Sequence, residues 1–219
     1  MKKKVLVSYN LFREGFSELI NRFDVIFPEG KSFTKEEILS LLPECDAFLS
    51  AFGLPINKEL MDAAGDRLKI IANYGVGYDN IDVAYATKRG IVVANTPDPV
   101  VEPTAELAFG LMIVSARRIS ECDRKLREPG QVKWGVLENL GVSLNGKRLG
   151  IIGMGRIGQA VARRAVASCM EVVYHNRHRL PAEQEQSCQA RYLSMEELLS
   201  TCDYVSIHAP LTPETRHLI

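Results

Sequence analysis

The chain has 219 residues, room for one large domain or two small ones. Its 27 Lys and Arg equal its 27 Asp and Glu, so no global field draws nucleic acid or an anionic membrane. The longest apolar stretch, 107–116, is too short to span a bilayer. The opening Met1-Lys2-Lys3-Lys4 leads only into Val5-Leu6-Val7, which reads as a first strand rather than a signal peptide. Cys45, Cys122, Cys169, Cys188 and Cys202 are scattered without C-x-x-C spacing, which fits buried thiols in a reducing, cytoplasmic setting.

Strands are expected at 5–8, 24–27, 47–50, 68–72 and 91–94, with a helix between each pair. Phe16, Leu19, Ile20 and Phe23 fall on one face of the first helix. Thr34 and Glu37 form a capping box that opens the second. Asn57 caps the third, which Gly65 ends; Asn80 caps the fourth, which Gly90 ends. Such alternation makes a parallel sheet with helices on both faces. Asn95-Thr96-Pro97-Asp98-Pro99 breaks the pattern as a hinge. A long helix follows from about Pro103, apolar nearly all round and so expected to be buried on more than one side. The stretch 126–144 is irregular. Its Trp134 reads either as an interface anchor or as a local cap over the core.

The second half is organised by 148–177. The apolar run Leu149 to Ile152 precedes Gly153, Gly155 and Gly158 in G-x-G-x-x-G spacing, then a helical run, then the strand Val172-Val173-Tyr174. This is the strand–turn–helix–strand context of a dinucleotide fingerprint. Gly153 permits the turn, Gly155 lets a pyrophosphate approach the backbone, and Gly158 lets helix and strand pack closely. The helix start offers free N–H groups to phosphate. Where an acidic residue would hold the ribose of NAD, the chain has Asn176, Arg177 and His178, with Arg179 beyond. No carboxylate stands there to repel a 2′-phosphate, so NADP(H) is the preferred cofactor and NAD(H) the alternative; the plainer reading of Arg177 is a solvated loop charge. His175 and His178 lack a third ligand, so no metal site is expected. A second capping box, Ser194 with Glu197, opens a helix to about 200, and a strand at 203–208 ends at His208-Ala209-Pro210. These three lie where a cofactor passes, beyond the carboxyl end of a strand. His208 is read as lining that path rather than as a catalytic acid, because no carboxylate partner is evident.

The expected architecture is α/β, with two parallel-sheet domains: a flavodoxin-like one at 1–99 and a Rossmann cofactor domain at 100–219. The stretches from Ala72 to Asp82, Arg89-Gly90-Ile91 with Asn95-Thr96-Pro97, Pro103 to Glu106, Gly153 to Gly158, and His208 to Ile219 together resemble the D-isomer-specific 2-hydroxyacid dehydrogenase family. The Tyr74 to Asn80 segment and the Tyr174 to Arg177 strand end are most similar to its glyoxylate/hydroxypyruvate reductase branch. The resemblance implies an oxidoreductase moving a hydride between a nicotinamide cofactor and a small 2-oxo or 2-hydroxy acid. It implies that 1–99 is the substrate domain and that the substrate lies in the cleft between domains. It places Leu54, Val76 and Gly77 at the substrate, and Thr104, Arg156, Ile157 and Thr215 at the cofactor. It also implies a homodimer built on the long helix and the Trp134 arm.

The family's catalytic Arg, Glu and His lie beyond the segment that ends here at Ile219. No catalytic residue is therefore assigned. The sequence reads as the N-terminal two thirds of such an enzyme, inactive alone and with a sheet edge uncovered. The rival expectation is a non-catalytic NAD(P)-binding interaction protein of the same fold.

Overall fold

The computed structural model describes residues 2–51 and 53–219, and the chain divides into two units, Met1–Val100 and Val101–Ile219. In the first unit, strands β1 (Lys4–Val7), β2 (Asp24–Ile26), β3 (Ala47–Ala51), β4 (Ile70–Tyr74) and β5 (Val92–Ala94) are all parallel, in the order β2-β1-β3-β4-β5. This is the flavodoxin-like order, with its reversal between β1 and β3. Helices α1 (Ser17–Arg22), α2 (Lys35–Leu41), α3 (Lys58–Ala63) and α4 (Val83–Lys88) supply the crossovers. Leu6, Phe48 and Ile71 sit side by side in register and are fully buried. Each such side chain contributes about 1.5–3 kcal/mol by leaving water. Two residues further along each strand the same face turns polar, with Ser8, Ser50 and Asn73 all buried.

The local signals act as their chemistry dictates. Thr34 Oγ1 accepts from the Glu37 N–H at 3.2 Å, and the Glu37 carboxylate accepts from the Thr34 N–H at 2.7 Å. Asn57 caps α3 by accepting from Leu60 N–H. Gly65 and Gly90 end their helices at φ +62° and +69°, where a side chain would be strained.

One expectation, the cap of α4, is corrected, and two helices gain detail. The first helix begins as a 3-10 turn (Arg13–Phe16), and no residue of α1 is buried, so its apolar stripe only rests on the surface of the unit. Asp82, not Asn80, caps α4 by accepting from Tyr85 N–H; Asn80 Nδ2 instead donates to the Leu54 carbonyl, a tertiary bond at 2.8 Å. Within the single chain the long helix, α5 (Val101–Ala116), buries Ala105, Met112 and Ala116 and leaves Leu107 and Leu111 exposed.

In the second unit, α5 and α6 (Ile119–Leu126) precede an irregular segment. Strands β6 (Arg148–Ile152), β7 (Glu171–His175), β8 (Ala190–Tyr192) and β9 (Tyr204–Ile207) then alternate with α7 (Arg156–Ala167), α8 (Ala182–Cys188) and α9 (Met195–Thr201). The sheet is parallel, ordered β8-β7-β6-β9. Counted within the unit this is 3-2-1-4, the start of the dinucleotide-binding order, and its reversal lies between β6 and β9. Glu102 on α5 pairs with Arg163 and Arg164 at 2.7 and 2.8 Å, which fixes α5 against α7. Edge strand β9 exposes Val205 and Ile207. Among the described residues no helix is long and apolar enough to cross a membrane.

Candidate dinucleotide site and an amide-lined loop

The chain leaves β6 at Gly153 with φ +96°. A Cβ there would come within 2.6 Å of the backbone of His208 and Ala209, so only glycine fits between the ends of β6 and β9. A Cβ on Gly158 would collide with the Gly153 carbonyl oxygen, so α7 packs onto the turn only because that atom is missing. Gly155 differs. It stands at the N-cap of α7 with φ −78°, offers no side-chain cap, and nothing lies within 4 Å of its missing Cβ. The first turn of a 12-residue helix is thereby left open to an anion, and the open space fits a pyrophosphate.

These positions border a cavity of about 630 Å³, within the roughly 300–1,000 Å³ usual for cofactor sites. Of the residues expected at the cofactor, Gly153, Gly155, Arg156, Asn176, Arg177, His178, His208, Ala209, Pro210 and Thr215 line it. Thr104, Ile157 and Gly158 do not: Gly158 is buried beneath the turn, and Thr104 sits on the exposed surface of α5. Met154, Gln159, Leu180, Met195, Glu214 and Leu218, none of them assigned from the sequence, are also among its lining residues.

Several lining residues hold the site's shape. Asn176 Oδ1 accepts from the Met154 N–H at 2.7 Å, tying the end of β7 to the glycine turn. Thr215 Oγ1 donates to the Pro210 carbonyl at 2.6 Å and accepts from Thr212 N–H at 2.7 Å, closing the loop after β9. His208 is half-buried, and desolvation pushes its pKa down, so its ring is neutral near pH 7. Its Nε2 lies 2.8 Å from Ser206 Oγ.

Arg179, the outermost basic residue of the strand end, is committed elsewhere. It makes a fork with Glu185 through two 2.8 Å bonds, and Tyr174 donates its hydroxyl to the same carboxylate at 2.6 Å. Arg179 first, then Tyr174, hold the Glu185 carboxyl down to about 2. Burial, and secondarily Glu185, pushes the Tyr174 phenol up to about 12. Arg177 is left as the exposed cation of the strand end that lines the cavity. The sequence showed no opposing carboxylate, but the fold brings Glu214 to the same wall. Its carboxyl is held below the ordinary value chiefly by Thr212 and, to a smaller extent, by Arg177.

In the first unit, Gly75, Val76 and Gly77 follow β4 as an exposed loop. Neither glycine has a left-handed φ. A Cβ on Gly77 would stand 3.1 Å from Asp79 Oδ1, tight but against the end of a side chain, and one on Gly75 would make ordinary contact, 3.4 Å from Asn73 Nδ2. Among the described residues, the N–H groups of Val76 and Gly77 meet no acceptor. A parallel bridge between Ile56 and Ile81 brings the Leu54 segment alongside this loop's far end, with the Leu54 side chain packed against the core of the unit. Phe52 lies outside the described residues.

Sheet order, glycine turn and uncapped helix together define a dinucleotide-binding domain. Residues 109–219 match the family described as D-isomer specific 2-hydroxyacid dehydrogenase, NAD binding domain. Over its whole length the chain is 42% identical to a glyoxylate reductase of Korarchaeum cryptofilum and covers 66% of it. The crystal structure of the TT0316 protein from Thermus thermophilus superposes with a TM-score of 0.89 at 40% identity, covering 98% of this chain and 67% of that one. A glyoxylate reductase structure from Paecilomyes thermophila gives a TM-score of 0.86 at 35% identity, covering 100% of this chain and 68% of that one. The chain therefore belongs to the D-isomer-specific 2-hydroxyacid dehydrogenase family. It spans about two thirds of the length of the relatives it matches.

The Arg179–Glu185–Tyr174 network makes a prediction about acid. The Glu185 carboxyl sits at about 2 in the fold, against about 4.3 in an unfolded chain. Its stabilisation is complete above the unfolded value and is lost as pH falls from about 5 towards 2. Urea unfolding of wild type and Glu185→Gln across pH 7 to 3 should show the variant weaker at pH 7, with the gap closing in acid. A gap that stays constant over that range would contradict the network.

Proposed function

We propose that the protein is a reductase that uses NADPH in preference to NADH to convert a small 2-oxo acid, such as glyoxylate or hydroxypyruvate, into its 2-hydroxy acid. The observation that carries the reading is the uncapped α7 start at Gly155, beside a strand end that presents Asn176 and Arg177. The glyoxylate reductases among its relatives support the substrate class. The bound nicotinamide would supply the hydride. The residues of this chain do the holding. The N–H groups of α7 face the pyrophosphate, and the Arg177 guanidinium pairs with the 2′-phosphate by a charge-assisted fork. Asn176 Oδ1 is already occupied, so its free amide donor suits a phosphate acceptor better than a ribose hydroxyl donor. Glu214 competes for Arg177, and the preference for NADPH requires the 2′-phosphate to win that competition. The neutral His208 ring lines the cofactor wall and takes no part in proton transfer. The N–H groups of Val76 and Gly77 hold the carboxylate of the acid, with Leu54 beside them. On this reading 1–99 is the substrate domain and 100–219 the cofactor domain.

The same reading covers assembly. Leu107 and Leu111 on α5, with Trp134, Val136, Leu137 and Leu140 on the following arm, are more than half exposed and apolar. A second copy of the chain is the proposed occupant of that surface.

Two measurements test these statements. Steady-state oxidation of NADPH by the full-length protein should proceed with glyoxylate or hydroxypyruvate, and Arg177→Asp should raise KM for NADPH at least about tenfold while leaving KM for NADH within about twofold. Absence of turnover with every short 2-oxo acid would remove the reductase reading; an unchanged NADPH to NADH ratio would remove the cofactor assignment alone. Sedimentation equilibrium should give a dimer that Leu111→Glu dissociates. A monomeric wild type would contradict the proposed partner.

A further inference from the structure

Three consecutive peptides in the loop after β4 are each held by their carbonyl oxygens. Gly75 O accepts from Thr96 N–H at 3.0 Å. Val76 O accepts from Asn95 Nδ2 at 2.8 Å, and Gly77 O accepts from Asn73 Nδ2 at 2.6 Å. Asn73 Nδ2 also lies 3.4 Å from Gly75 O. Both partners of Asn73 Nδ2 are carbonyl oxygens, which suits an amide donor. Among the described residues every peptide is trans. In a trans peptide the N–H points opposite to the C=O. Drawing the three carbonyls back onto Asn73, Asn95 and Thr96 therefore turns the N–H groups of Val76, Gly77 and Tyr78 away from those partners. Among the described residues none of the three N–H groups has an acceptor.

Left to itself, a loop with glycine on both sides of Val76 is free to rotate these peptide planes. A rotated plane would present a carbonyl where an anion must sit. Asn73 is only 6% exposed and lies beside the buried Ser50, one step beyond the apolar row of Leu6, Phe48 and Ile71 on the same sheet face. A buried amide must be compensated by hydrogen bonds. The bonds it makes go to the loop carbonyls.

We propose that Asn73 and Asn95 are positioning residues for substrate binding: by holding the carbonyls of Gly77 and Val76 they aim three consecutive amides at the carboxylate of the 2-oxo acid. The inference rests on the carboxylate reading of this loop given above and adds the residues that preset it, together with the Tyr78 amide as a third donor. Preset amides need no reorganisation when the anion arrives, so the benefit falls on substrate affinity.

The test uses the full-length protein with two variants. Asn73→Leu keeps the number of side-chain heavy atoms and removes the donor without adding charge. Asn95→Ala removes the other donor at a half-buried position. In each, KM for glyoxylate should rise about five- to tenfold, the loss expected for one hydrogen bond of this kind. KM for NADPH should stay within about twofold. The dissociation constant of oxalate, an unreactive dicarboxylate, measured by calorimetry on the NADPH complex, should rise in step. A merely structural role would instead lower the melting temperature and the active fraction, leaving both KM values alone. If Asn73→Leu does not fold, Asn95→Ala decides. Unchanged glyoxylate KM and oxalate affinity in Asn95→Ala would overturn the positioning role while the reductase reading stands. A wild type that neither turns over nor binds oxalate would overturn both.

Discussion

The second unit depends on one close approach. Where β6 ends, the backbone of Gly153 passes the backbone of His208 and Ala209 so tightly that a single methyl group would collide. That contact joins the ends of the two strands at which the sheet order reverses. It also sets where α7 begins, because the Gly153 carbonyl lies against Gly158 in the first turn of that helix. The open N-terminus of α7, the wall formed by Ala209 and Pro210, and the position of the β7 end all follow from it. Asn176 extends the same constraint outward, since its bond to Met154 prevents the turn and the neighbouring strand end from moving separately.

The two units use the same physical device in different forms. In the second, the donors that await an anion are the unpaired N–H groups that every helix start possesses, left available because Gly155 supplies no cap. In the first, there is no helix at the site. Donors are made available by binding the opposite ends of their peptides, through Thr96 and two asparagines. One arrangement is written in glycine spacing. The other is written in side chains that only the folded chain brings together.

That contrast explains how much of the molecule could be read from its sequence. Both capping boxes were legible because donor and acceptor lie three residues apart. The glycine turn was legible because its three positions sit in one short stretch with strands on either side. The cap of α4 was not: Asn80 and Asp82 are both capable, and the outcome depends on a bond from Asn80 to Leu54, 26 residues away. Helix α8 and strand β8 had no apolar period to reveal them, since Cys188 is the single buried residue of that helix. Arg179 stands two residues beyond Arg177 in sequence, and only the fold shows that Glu185 occupies it. Glu214, next to the assigned Thr215, was given no role from the sequence and lies on the cavity wall. Thr104, assigned to the cofactor by likeness, is absent from the cavity wall.

The most direct measurement is an equilibrium titration of NADPH fluorescence against wild type and Gly155→Val. Gly155 has an ordinary φ of −78° and open space around its missing Cβ, so the variant should fold, with a modest loss of stability because valine is a poorer N-cap than glycine. Its side chain would fill the space assigned to the pyrophosphate. NADPH affinity should therefore fall by at least about a hundredfold, as a displaced helix-terminal phosphate requires. A folded Gly155→Val protein that binds NADPH as tightly as wild type would contradict the account, because the dinucleotide would then lie somewhere other than the α7 start.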